Sequence, residues 1–122
     1  MRQVTQQAAY HFVAFEPYKN GNTTVCVHYA NGGVTRATMY LHGNLIASIT
    51  NGAEASLNVT LAGYNTATTK ERPNGICEVL RIKCRFTTKN FAPHFGATEI
   101  HARTVVHVRQ DSSSIIFLRN ME

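Results

Sequence analysis

The chain has 122 residues, 43% hydrophobic and 16% charged, a balance that suits one core spanning 1–122 and excludes a disordered polyelectrolyte or two independently cored domains. No run approaches the ~20 apolar residues of a membrane-spanning helix, and the N-terminus lacks the charged, apolar and small-residue series of a secretory signal, so a cytosolic protein without a membrane partner is expected. Twelve Lys and Arg against seven Asp and Glu leave a net charge of +5, which favours nucleic acid or an acidic protein surface as partner.

From Val4 to Phe15 the chain holds good helix formers, with Ala8, Phe12 and Phe15 at i, i+4 and i+7; this spacing predicts a short N-terminal helix that Pro17 ends. Tyr18 to Asn22 reads as a turn. Thr23 to Tyr29 reads as a strand with Val25 and Val27 on one side and Cys26 and His28 on the other. Asn31-Gly32-Gly33 supplies hairpin chemistry and leads into a strand over Val34 to Leu41. His42-Gly43-Asn44 is a tight reversal into a strand over Asn44 to Ile49. After Asn51-Gly52, Leu57, Val59 and Leu61 alternate with Ser56, Asn58 and Thr60, predicting a strand over Ala55 to Leu61 with one wet face. Short turns between successive strands make an antiparallel meander.

Thr68 or Thr69 is placed to cap a second helix, which Pro73 and Gly75 should hold to one or two turns unless it begins near Pro73 itself. The next expected strand covers Val79 to Phe86, with Leu80, Ile82, Cys84 and Phe86 turned inward and Arg81, Lys83 and Arg85 projecting together outward. Asn90 to Ala97, with Pro93 and Gly96, reads as a loop. A strand over Glu99 to Arg109 and a hairpin partner over Ile115 to Leu118, joined across Asp111 to Ser114, complete the chain. The expected class is α+β: a short N-terminal helix, a mostly antiparallel β-sheet and a short second helix. Its edge strands leave a homo-oligomer open.

Chemistry-bearing patterns are sparse. Cys26, Cys77 and Cys84 are odd in number and read as free thiols packed as small apolar groups. The six histidines form no ligand pattern, although His101 and His107 share strand parity, so neither a metal nor another cofactor is expected. There is no Gly-x-Ser-x-Gly elbow and Asp111 is the sole aspartate; no catalytic residue is assigned and no enzyme is expected. His42-Gly43-Asn44 suits a small polar site or simply a turn. Thr68 to Arg72 can offer helix amides, Lys70 and Arg72 to a phosphate, although capping alone explains the threonines.

The strongest pattern is the Arg81, Lys83 and Arg85 row, whose ~7 Å spacing on a strand matches successive phosphates. An ordinary solvated strand face looks the same. Lys89, Phe91, His94 and Phe95 adjoin it with cationic and stacking groups. The candidate nucleic-acid-binding set is therefore Arg81, Lys83, Arg85, Lys89, Lys70 and Arg72, with Phe91 and Phe95 for stacking.

Three segments together resemble an uncharacterised family of small bacteriophage proteins. They are Gly21-Asn22-Thr23-Thr24-Val25, Tyr40-Leu41-His42-Gly43-Asn44-Leu45-Ile46-Ala47, and Ala62 to Gly75 with its Thr68-Thr69-Lys70-Glu71-Arg72 core. The likeness covers residues 3–76 and implies a phage protein made in the host bacterial cytoplasm. The chain departs from the pattern at Pro73, where the family usually has an aliphatic residue, and from Val79 onward, and no active site transfers. With the basic face, the resemblance leads to a non-enzymatic phage accessory protein that binds nucleic acid or nucleoprotein. The alternative is an inhibitor or modulator of a host factor or bacterial immune system that works by protein–protein contact.

Overall fold

The computed structural model describes residues 2–52, 56–109 and the backbone of 115–118. The expected strand start at Ala55 and the turn over Asp111 to Ser114 lie outside the described residues. The architecture is α+β: two helices packed on one face of a seven-stranded antiparallel sheet, with a separate three-stranded sheet beside the second helix.

The first helix, α1 (Gln3–Val13), buries Thr5, Ala8, Ala9 and Phe12, one stripe at helical period. Ala8 and Ala9 carry almost no side chain, which lets the second helix approach closely. The helix ends before Pro17: Ala14 is its C-cap, and Phe15, at φ 57°, turns the chain back while its ring packs against the core. The segment expected as a turn opens with a short edge strand, β1 (Tyr18–Asn20). Its Tyr18 ring stacks on His11 at 4.9 Å and its hydroxyl donates to Gln7.

The meander follows as β2 (Thr23–Ala30), β3 (Gly33–Leu41), β4 (Asn44–Thr50) and β5 (Ser56–Thr60), each antiparallel to the last. Asn31-Gly32 and His42-Gly43 both have positive φ at both positions, the two-residue geometry that matches the twist of a hairpin. The sheet order is β1-β2-β3-β4-β5-β9-β10, with β9 (Val105–Arg109) beside β5 and β10 (Ile115–Leu118) at the edge. Everything between β5 and β9 is thus an excursion from two neighbouring strands.

That excursion departs most from the sequence reading. The second helix, α2 (Ala67–Val79), runs 13 residues with Pro73 inside it, where one or two turns or a start near Pro73 were expected. Thr66 rather than Thr68 or Thr69 is the N-cap, its Oγ1 accepting from the Thr69 N–H at 3.2 Å. An interior proline costs about 3 kcal/mol in an isolated helix. Here full burial of Ile76 and Cys77, one turn farther along, offsets it, since a buried Ile alone contributes about 1.5–3 kcal/mol.

The expected strand over Val79 to Phe86 does not exist. Leu80 caps α2, Arg81 takes φ 60°, and residues 82–85 are irregular. The inward and outward alternation survives without the strand: Ile82 and Phe86 are buried, Leu80 and Cys84 pack against the core, and Arg81 and Lys83 are exposed. Asn90 to Ala97, expected as a loop, is mostly a hairpin of β6 (Phe86–Lys89) and β7 (Ala92–Phe95), to which β8 (Thr98–Glu99) adds two residues. The long strand expected over Glu99 to Arg109 is broken into β8 and β9 by a turn.

The Asn74 side chain seats this small sheet on α2. It accepts from the Phe86 N–H at 2.7 Å and donates to the Phe86 carbonyl at 2.9 Å, standing in for a strand neighbour. The core lies between helices and large sheet, where Phe12 and Ile76 meet Val25, Met39, Val59 and Val106.

Candidate functional site

The structure disperses the candidate row. Arg81 and Lys83 are exposed in the irregular segment after α2, whereas Arg85 bends back to donate to the carbonyls of Ile82 and Cys84, the latter at 2.9 Å. Lys70 docks the hairpin, bonding Thr88 and, at 3.3 Å, Asn65. Phe95 is 1% exposed and packs edge-on against Phe86, so it is core rather than a stacking platform. Lys89 is exposed, and Phe91 stands 99% exposed at the hairpin tip with φ 64°. His101 lies in the turn before β9, so it does not share a strand with His107.

Arg72, expected to reach a phosphate, is 3% exposed. Its guanidinium donates to Thr23 at 3.0 Å, to Thr5 at 2.5 Å and to Glu71 at 3.0 Å, joining β2, α1 and α2. Glu71 also accepts from Thr5 and pairs with Arg2 at 3.2 Å. Burial pushes the Glu71 carboxyl up, but the Thr5 hydroxyl and the charges of Arg2 and Arg72 outweigh it and hold the group below its ordinary value of 4.5. Burial also draws Arg72 down from the usual guanidinium value, against the pull of Glu71. The threonine and Thr-Thr-Lys-Glu-Arg motifs are thus joined for structure. Cys77 is likewise structural: burial pushes its thiol up to about 12.

The pairing registers define the sheet face turned away from the helices. One transverse row on it is Cys26, Thr38, Ser48, Asn58 and His107; the next is His28, Arg36, Thr50, Ser56 and Arg109. Arg36 and Arg109 are exposed and the smaller groups mostly half-buried. Two contacts hold the rings in place: His28 Nε2 lies 3.0 Å from Thr38 Oγ1, and His107 Nδ1 lies 2.8 Å from Asn58 Oδ1. Tyr40, opposite Thr24, adds a half-buried aromatic ring. Among the described residues, no carboxylate lies on this face. The wet side of the fourth predicted strand was the available signal, but which side the helices leave open was not readable.

A cleft of about 450 Å³ adjoins the β3–β4 turn. The buried Leu41, Ile46, Leu61 and Thr69 line its depth, and His42, Asn44, Tyr64, Thr66 and Thr68 its mouth. Two segments that carry the family resemblance therefore meet in one depression. A smaller recess of about 170 Å³ shares Asn44 and Ala62 with it and contains Arg103.

Among the described residues, no cluster of three or more His, Cys, Asp or Glu is placed to hold a metal, and no helix is long and apolar enough to cross a membrane. The family model for the Kyanoviridae Gp96 protein matches residues 1–112. No curated protein matches the chain, and no solved structure matches it.

Proposed function

This chain belongs to the Kyanoviridae Gp96 protein family, and for this phage protein we propose a non-enzymatic accessory role: binding single-stranded nucleic acid across the open face of the seven-stranded sheet. The observation that carries the reading is the composition of that face, where Arg36 and Arg109 flank hydroxyl, amide and imidazole groups and no described carboxylate opposes a phosphate. Arg36 and Arg109 sit in one row three strand spacings apart, about 14 Å, or roughly two phosphate steps. Tyr40 offers a ring for a base, and threonine, serine and asparagine offer hydrogen bonds without a fixed base code. Arg81 and Lys83 belong to the helical side and are peripheral to this path.

Fluorescence anisotropy with labelled single-stranded DNA and RNA at several salt concentrations tests the reading. The Arg36→Gln/Arg109→Gln variant should bind more weakly across sequences, with a salt slope lower by about 1.4, from ~0.7 per phosphate lost on a single strand. Arg81→Gln/Lys83→Gln should change little. Absence of wild-type binding at low salt, or an unchanged slope in the first variant, would overturn it.

Phe91 favours a second reading, contact with a host protein. A fully exposed aromatic ring on a left-handed backbone position gains nothing for the fold, but an anchor for a partner pocket has this form. A host protein retained by wild type and lost with Phe91→Ala, with nuclease present, supports it.

A further inference from the structure

We propose that the cleft between the β3–β4 turn and the start of α2 binds a nucleoside monophosphate, a site separate from the open sheet face. The cleft's volume of about 450 Å³ holds a heterocycle with its sugar and falls within the range of small-ligand sites. The depth is mostly apolar, set by Leu41, Ile46 and Leu61 beside the buried Thr69, and suits the flat faces of a ring. The mouth mixes donors and acceptors, as the edge of a nucleobase does. His42 is held there by Asn22, with Nδ2 3.1 Å from its Nε2, while the Asn44 side chain has no hydrogen-bond partner among the described residues. Tyr64, 54% exposed at the lip, supplies an aromatic ring for stacking.

Charge then narrows the class. Among the described residues, no Lys, Arg, Asp or Glu side chain lines the cleft, which suits a neutral group inside it. The adjoining recess holds the Arg103 side chain, which makes no ion pair among the described residues. Its guanidinium lies over Gly63, where an added Cβ would come within 3.4 Å of Cζ. A neutral, planar, hydrogen-bonding body joined to an anion is the chemistry of a nucleotide. Such a group arrives either as a free mononucleotide or as the phosphorylated end of a strand.

Isothermal titration with AMP, GMP, CMP and UMP, with the matching nucleosides, with inorganic phosphate and with a 5′-phosphorylated oligonucleotide separates the cases. At least one mononucleotide, or the phosphorylated strand end, should bind. The matching species without phosphate should bind about tenfold more weakly, and Arg103→Gln should bring the two together. Tyr64→Ala should weaken binding by a similar factor while leaving the thermal midpoint unchanged, because its side chain is largely in solvent. Binding of mononucleotides alone identifies the free ligand; binding of the strand end alone identifies the second source.

The Arg36→Gln/Arg109→Gln protein should retain nucleotide affinity, so this site and the sheet-face reading fail separately. No binding of any nucleotide or strand end at millimolar concentration would overturn the proposal, as would phosphate binding equally well alone. Affinity indifferent to both Arg103→Gln and Tyr64→Ala would also overturn it.

Discussion

Replacing Arg72 with methionine tests whether this motif arginine is structural. Arg72 is 3% exposed and donates to Thr5, Thr23 and Glu71. Methionine keeps much of the volume, so the cost comes mainly from polar partners left behind rather than from a cavity. Removing one member of a buried ion pair costs about 3–5 kcal/mol. Glu71 is 26% exposed and keeps Arg2, which places the expected loss near the lower end, about 3 kcal/mol. With an unfolding entropy of roughly 2.1 cal/mol/K per residue, the 122 residues give about 0.26 kcal/mol/K, so the thermal midpoint should fall by about 12 °C. Circular dichroism melts at neutral pH measure this, with Lys83→Met as an exposed control expected to stay within about 2 °C. Adding Glu71→Gln to Arg72→Met should recover part of the loss by removing a part-buried carboxylate that has lost Arg72 while retaining the exposed Arg2. A fall of less than about 4 °C for Arg72→Met would refute the reasoning and return Arg72 to the candidate binding residues.

The stability that Glu71 contributes should depend on pH. Its folded value is depressed, so the contribution is full above 4.5 and is lost as pH falls through the lower folded value; the gap between wild type and Glu71→Gln in urea melts should close over that window. Ile82→Asp should destabilise severely, since Ile82 is 5% exposed, while Lys83→Asp should not; equal melting of the two would overturn the packing of the segment after α2. Phe91→Gly should raise stability by up to about 1 kcal/mol by relieving a left-handed non-glycine position without removing packing, and a lower midpoint would show that the ring is packed. Iodoacetamide should label Cys77 only on unfolding, because the residue is buried and its thiol pushed up to about 12, whereas Cys26 and Cys84 are partly accessible; mass spectrometry of the native protein would show the order.

The meander and first helix were legible in the sequence because their signals are local. Ala8 and Phe12 repeat at helical spacing, Leu57 and Val59 alternate at strand spacing, and Asn31-Gly32 and His42-Gly43 favour the positive φ of a hairpin. The resemblance carried by the motifs also held, since the matching family is a phage family covering residues 1–112. The segment from Pro73 to Phe86 was decided by tertiary contacts. Burial of Ile76 and Cys77 carries α2 past its proline, and the Asn74 side chain bonds the Phe86 backbone, so strand-like alternation in between follows an irregular path over the core. The candidate sites depended on the same level of structure. Whether Arg72 met solvent or Thr5 and Thr23, and which sheet face the helices left open, depended on elements distant in sequence, and a one-dimensional pattern specifies the spacing of a side chain but not what will cover it.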